Sequence, residues 1–155
     1  MKKLICLILI TCSPLLSAYV SPTTGKEYAS GIERPFDKPP KNWMKGHRGV
    51  DLSSEPGSPI FASGGGAVSY VGVIAGTPTI AIEHPDGIKT TYQPVHAVVS
   101  QGDPVTEGQV IGRLAGDHLH WGALIGKDDY INPLTLLKAP TIRLKPLDGP
   151  GRKRP

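Results

Sequence analysis

The chain contains very little cysteine. Of its 155 residues only two are cysteines, Cys6 and Cys12, and both lie within residues 1–18. If that segment is removed as a secretion signal, the rest of the chain has no thiol. This excludes a disulfide framework and a zinc site built on cysteine.

Long hydrophobic runs are also missing. The apolar run in residues 4–16 is too short to span a bilayer comfortably, and no other stretch is long enough. With Lys2 and Lys3 before it and Ser17 and Ala18 after it, the run is typical of a signal peptide over residues 1–18. We therefore expect an exported, extracytoplasmic protein. Lipidation at Cys12 and an ordinary hydrophobic helix are the alternatives.

A basic surface is the third absence. The formal charge is +4, but residues 19–142 carry 10 basic and 12 acidic residues. The excess of positive charge lies in the tail, residues 139–155, which we expect to be a solvated end. Because phosphate binding needs a basic face, the composition argues against a nucleic-acid partner.

Glycine and proline, in contrast, are abundant. The 19 glycines and 16 prolines interrupt the chain every few residues, which favours short strands over long helices. One all-β domain of residues 45–138 is predicted, preceded by a Pro-rich lead-in segment, residues 19–44, in which regular structure is not expected. Phe36 and Trp43 of this segment are candidates to dock on the core.

Alternating apolar residues predict where the strands lie. "GAVSYVGVIA" and "TPTIAIEHPDGIKTTYQPV" indicate three strands, the last two joined by a turn at "HPDG". "GDPVTEGQVIGRLAG" indicates two short strands, "HLHWGALIG" one more, and "INPLTLL" a single helical turn.

The stretch "GDHLHWG" places two histidines, His118 and His120, on one face of a strand, because alternate side chains point the same way. "GHRGVDL" adds His47 and Asp51, whose even separation also favours one face, while the glycines beside them allow the backbone to bend. His47, Asp51 and one histidine of the pair would give three ligands and an open fourth position, the plan of a catalytic zinc site. The other histidine would stand beside the metal and move a proton or stabilise an oxyanion.

At these residues the chain resembles the lysostaphin-like (LytM-type) zinc metalloendopeptidases, which cleave peptide bonds of bacterial cell-wall peptidoglycan. The family's His-x-x-x-Asp and His-x-His motifs are matched by "HRGVD" and "HLH", and "GSPIFASGGGAVSYVG", "GDPVTEGQVIGRLAG" and "YINPLTLL" look like its flanking segments. The likeness covers residues 45–137. It implies a small antiparallel β-sandwich or barrel-like domain, the duplicated hybrid motif.

The resemblance also implies roles for individual residues. His47, Asp51 and His120 match the zinc ligands, one Zn²⁺ per chain, and His118 matches the catalytic histidine that does not bind the metal. The implied protein is a secreted, cell-wall-associated hydrolase whose partner is a peptidoglycan peptide.

One position departs from the family pattern. Where the family has Tyr-x-His, with a second catalytic histidine, this chain reads Tyr92, Gln93, Pro94. His96, two residues further on, is a candidate to contact substrate: it would face the same side if the strand continued, displaced by about 6 to 7 Å. Tyr92 is a candidate to offer its hydroxyl to a substrate, or else a buried structural residue. His84, which enters the "HPDG" turn, is expected to be structural.

Two functions therefore stand side by side. The first is a peptidoglycan endopeptidase whose activity is in doubt because of Pro94. The second is a catalytically impaired zinc-binding domain that binds peptidoglycan or regulates wall hydrolases. An iron oxygenase has the same number of ligands, but it usually has His-x-Asp and a longer chain.

Overall fold

The fold is given by a computed structural model, which describes residues 19–41 and 43–138. The predicted signal peptide, residues 1–18, and the basic tail, residues 139–155, lie outside them. Within the described ranges, no helix has the length and apolar character that crossing a membrane requires.

Short antiparallel strands make up the described part of the chain. In order they are β1 (Ile32–Arg34), β2 (Gly49–Ser53), β3 (Pro59–Phe61), β4 (Gly66–Ile74), β5 (Thr77–Glu83), β6 (Ile88–Gln93), β7 (Val95–Ala97), β8 (Pro104–Val105), β9 (Val110–Leu114), β10 (His118–Ile125) and β11 (Asp129–Ile131). A 3₁₀ helix, Pro133–Leu136, follows. The all-β prediction is confirmed, as are the strands and the single helical turn predicted from the sequence.

The strands form two sheets. The larger has the order β1-β2-β10-β6-β5-β4-β8, with β11 also paired to β10, and the smaller has the order β3-β9-β7. The turn that joins β5 to β6 lies at "HPDG", where Gly87 has a φ of 83°, a value that favours glycine. β10, with its two histidines, lies between β2 and β6 in the larger sheet, so strands far apart in sequence meet beside it.

One hydrophobic core lies between the two sheets. Trp121, Tyr92 and Leu119 of the larger sheet and Ile60 and Ile111 of the smaller sheet belong to the same cluster of buried side chains. Each of these five residues is inaccessible to solvent. Because Leu119 and Trp121 point into the core, the alternate residues of β10 point to the opposite face.

The lead-in segment has more structure than its composition predicts. β1 lies within it and pairs antiparallel with β2, so the expectation of no regular structure is wrong there. Phe36 packs against the core as expected, whereas Trp43 is 81% exposed and does not. The physical reason is that β2 would otherwise be an edge strand with unpaired backbone groups, and β1 satisfies them.

Candidate metal centre

Three potential metal ligands converge on the outer face of the larger sheet. Asp51 of β2 is directly opposite His120 of β10, and His47 lies two residues before β2. His47 Nε2 is 3.0 Å from Asp51 Oδ1 and 3.1 Å from His120 Nδ1, and His120 Nδ1 is 2.8 Å from Asp51 Oδ1. The three side chains predicted as ligands therefore meet at one point.

Backbone contacts hold the His47 ring in place. Its Nδ1 lies 2.7 Å from the carbonyl oxygen of Pro35, and because a carbonyl only accepts, Nδ1 carries the proton and donates it. Nε2 then presents a lone pair toward Asp51 and His120. A histidine whose other nitrogen donates to a backbone carbonyl is the usual arrangement at a metal site.

The chemistry of this donor set suits a divalent cation. With Nδ1 donating to Pro35, a neutral His47 ring offers the lone pair of Nε2 beside the Asp51 carboxylate oxygen, 3.0 Å away, and a cation between them would contact both. Burial lowers the pKa of His120 below its ordinary value, although the bond to Asp51 acts in the opposite direction. A neutral imidazole keeps a lone pair for a metal. Two imidazoles and one carboxylate with an open fourth position match a catalytic zinc site.

Two glycines in "GHRGVDL" make room for this cluster. A Cβ on Gly49 would collide with the carbonyl oxygen of Trp121 and lie 2.8 Å from His120 Nε2, and one on Gly46 would lie 2.7 Å from the carbonyl oxygen of Asp37. Neither glycine is among those with positive φ. The sequence-based explanation, freedom of the backbone to bend, is therefore wrong: these positions need the absence of a side chain.

His118 stands on the same face of β10 as His120, two residues away and opposite Ser53 of β2. Its side chain is 45% exposed, and its Nδ1 is 2.7 Å from the carboxylate of Asp117. Hydrogen bonding to His118 lowers the pKa of Asp117. The Asp117 carboxylate therefore accepts a hydrogen bond from Nδ1–H, and this bond does not involve Nε2 of His118.

Two residues predicted to contact substrate are placed elsewhere. Tyr92 is fully buried, and its hydroxyl binds the backbone N–H of Ser63 and the hydroxyl of Thr90, so a role in substrate contact is wrong. β6 ends at Gln93, and His96 lies on β7 in the smaller sheet. The strand does not continue past Pro94 in the larger sheet, so His96 does not follow the register that a catalytic role required.

Two further residues on the site face were not predicted. Arg34 of β1 is paired with Asp51, and Gln93 of β6 is paired with His120, so both belong to the row that crosses the sheet through the site. Burial is the largest cause of the lowered pKa of His120, and the charges of His47 and Arg34 lower it further. No motif marks either residue, because only the register of β1 and β6 against the site strands reveals them.

Comparisons with known proteins agree with this geometry. The sequence profile of Peptidase family M23 matches residues 45–133. An uncharacterized protein of Mycobacterium tuberculosis is 42% identical over 164 residues, covering 94% of this chain, and the chain spans 65% of that relative. The DD-carboxypeptidase/endopeptidase Mpg of Neisseria gonorrhoeae is 31% identical over 97 residues, covering 58% of this chain and 22% of Mpg.

A solved structure shares the fold as well. The zinc containing peptidase from Vibrio cholerae superimposes with a TM-score of 0.59 and 28% identity, over 79% of this chain and 40% of that one. Residues 45–133, which the sequence profile matches, include all three candidate ligands.

Proposed function

The chain belongs to Peptidase family M23, and from this we propose that it is a zinc-dependent hydrolase that cleaves peptide bonds of cell-wall peptidoglycan outside the cytoplasm. The resemblance to the lysostaphin-like peptidases, first noted from "HRGVD" and "HLH", is thus confirmed at the level of the family. Zinc dependence, secretion and the bond that is cleaved belong to the proposal.

The convergence of His47, Asp51 and His120 is the observation that carries the proposal, because their ligand atoms all lie within 4.8 Å of one another. These three residues would hold one zinc ion. When bound, zinc lowers the pKa of a water molecule to about 7 and polarises a carbonyl group. A similar peptidase from Vibrio cholerae is described as zinc containing.

His118 supplies the acid–base group in this proposal. Its Nδ1–H donates to Asp117, which leaves Nε2 to accept a proton from the attacking water. The same nitrogen then gives that proton to the amine that leaves. The water oxygen forms a bond to the carbonyl carbon, the C–N bond breaks, and the second water proton also passes to the amine, so the products are a carboxylate and an ammonium group.

A zinc-binding domain without peptidase activity is the second candidate, and the absence of a partner imidazole for His118 favours it. His84 is buried in the core and His96 lies on the smaller sheet. Of the described histidines outside the site, neither is placed to share the work of His118.

Digestion of purified peptidoglycan distinguishes the two candidates. The zinc-loaded chain should release new amine and carboxylate termini, detected by mass spectrometry. His118→Ala should slow their release by about a hundredfold or more, while the zinc content is unchanged, because a positioned acid–base group typically contributes 10²–10⁴ in rate. Peptidoglycan left intact by the zinc-loaded chain would favour the non-catalytic domain, and identical rates for both proteins would exclude His118 from the reaction.

A further inference from the structure

An exposed guanidinium group, that of Arg34, lies at the edge of the metal centre. Arg34 ends β1, and its backbone is paired with that of Asp51. Directly paired residues of antiparallel strands project to the same face of the sheet. The Arg34 side chain is therefore on the face that holds Asp51 and His120, and it is exposed.

A β-bulge at Glu33 aims this side chain. Ile32 is paired with Leu52 and Arg34 with Asp51, so two steps along β1 match a single step along β2. Without the extra residue, Ile32 and Arg34 would point to the same face, because side chains alternate along a strand. Bulges of this kind re-aim side chains and are frequent beside active sites.

The next residue fixes the backbone of Arg34 against the centre. The carbonyl oxygen of Pro35 accepts the Nδ1 proton of His47 at 2.7 Å. Asp37 and His47 then form an isolated β-bridge, with backbone hydrogen bonds of 2.9 and 2.7 Å in the two directions. Arg34 is thus held one residue away from a direct contact with a proposed ligand.

Across residues 19–41 and 43–138, the Arg34 guanidinium has no hydrogen bond or ion pair. With zinc bound, the ion, Asp51 and Arg34 would together carry a charge of +2, whereas the carboxylates of Glu33, Glu55 and Asp117 line a groove beside Ser53 that Arg34 does not line. Such a concentration of positive charge favours an anion between the metal and the guanidinium. A planar guanidinium binds a carboxylate with two parallel hydrogen bonds.

We propose that Arg34 forms a carboxylate subsite, which binds a carboxylate of the substrate peptide close to the bond that is cleaved. This inference rests on the proposed function. Adjacent strands are about 4.8 Å apart, so two strand spacings, about 10 Å, separate the backbones of Arg34 and His120. An extended peptide covers that distance with about three residues. The carboxylate is therefore within about three residues of the scissile bond, at the terminus or on a side chain.

Matched peptides test the subsite. Two pairs are compared with the zinc-loaded full chain: one pair differs in a terminal carboxylate or carboxamide, the other in a side-chain carboxylate or carboxamide. We expect kcat/KM to favour the carboxylate by about tenfold or more in the pair that the subsite recognises, since a charge-assisted hydrogen bond is typically worth that much. Arg34→Gln should remove most of that preference, and Arg34→Lys should restore part of it.

Lys127→Gln is the matched control. Lys127 is exposed in the turn between β10 and β11, so its loss changes the net charge equally without touching the site, and the preference should be that of the wild type. Equal kcat/KM for acid and amide in both pairs would overturn the subsite while leaving the proposed hydrolase intact.

A binding measurement separates the subsite from catalysis. The measurement uses zinc-loaded His118→Ala, in which turnover is slow. Calorimetry should show that adding Arg34→Gln to this variant raises the Kd of the carboxylate peptide about tenfold and that of the amide peptide much less. If no peptide is cleaved but this difference is found, the hydrolase proposal fails and the subsite stands. If the wild-type chain binds acid and amide peptides equally, the subsite is excluded.

Discussion

His84 illustrates how a histidine outside the site is used for structure. It is 4% exposed, its Nδ1 lies 2.8 Å from the carbonyl oxygen of Gly65, and its Nε2 lies 2.8 Å from the Thr90 hydroxyl. The Thr90 hydroxyl is 2.7 Å from that of Tyr92, which also accepts the N–H of Ser63. With Nδ1–H donating to Gly65, a neutral ring accepts from the Thr90 hydroxyl at Nε2, and burial favours this neutral form over the charged one.

The preference for a neutral His84 makes the free energy of unfolding depend on pH. Burial lowers the pKa of His84 below its ordinary value of about 6.5. Below that pH the unfolded chain binds a proton that the folded chain resists, so the free energy of unfolding falls as the pH decreases from 6.5 toward the lowered pKa. The slope contributed by this one group is at most about 1.4 kcal/mol per pH unit.

Urea unfolding of the metal-free protein between pH 7.5 and 5 measures the slope. His84→Gln should flatten it by up to that amount, and His96→Gln, which removes an exposed imidazole of β7, should leave it unchanged. His120 has a lowered pKa too, and its contribution is common to all three proteins. Equal slopes for His84→Gln and the wild type would contradict the neutral His84.

Single residues were predictable where a motif marks them. The strand alternation and the spacings bring together His47, Asp51 and one histidine of the pair, and the family resemblance selects His120, which the structure places with the other two. The assignment of Tyr92 failed because its strand pairs with Trp121 and Ile80, which are core residues. Sequence alone does not reveal which face of β6 the neighbouring strands cover.

At the scale of elements, the pairing of β2 with β10 assembles the centre. Asp51 is opposite His120, and two residues along the same pair of strands Gly49 is opposite Gly122. Only glycine fits at position 49, because a Cβ there would meet the Trp121 carbonyl and the His120 ring at once.

Gly49→Ala should therefore damage the fold and the centre together. The backbone carbonyl cannot move cheaply, so we expect a loss of about 1–3 kcal/mol in the free energy of unfolding and weaker zinc binding, as His120 is displaced. Gly65→Ala is the control, because its Cβ would meet its nearest atom at an ordinary 3.6 Å. Urea unfolding and zinc titration check both variants. A Gly49→Ala protein with wild-type stability and zinc affinity would refute this reading of the strand pair.

The lead-in segment shows what composition cannot reveal about an element. Residues 32–34 are a β-strand only because the edge of β2 is available to pair with them, and their proline-rich surroundings hide this. Tyr19 is fixed in the same way by tertiary contacts: its hydroxyl donates to Asp86 at 2.7 Å, and its ring packs edge-on against His84. Long-range partners, rather than local propensity, decide the structure of this segment.

At the scale of the whole molecule, the two sheets pack against each other around one core, and the outer face of the larger sheet carries the metal centre. β10 contributes Leu119 and Trp121 to the core and His118 and His120 to the outer face. The period of two in a strand makes this division predictable from "HLHW" alone. The crossing of the chain from the larger to the smaller sheet at Pro94 was not predictable, because it depends on the pairing of β7 with β9.

The architecture therefore places three ligands on a rigid sheet, with the lead-in segment closing one side. His47 comes from the loop that β1 supports, and Asp51 and His120 come from paired central strands. A site assembled from elements this far apart in sequence exists only in the folded chain, so metal binding and folding stabilise each other.

Elemental analysis of the purified folded protein measures whether His47, Asp51 and His120 hold zinc. We expect close to one zinc ion per chain, retained in His118→Ala and lost almost completely in His120→Ala, because only His120 of the two histidines belongs to the cluster with His47 and Asp51. Circular dichroism establishes that each protein is folded. A folded wild-type chain that binds no zinc, or a His120→Ala chain that binds as much as the wild type, would show that these three residues do not form a zinc site.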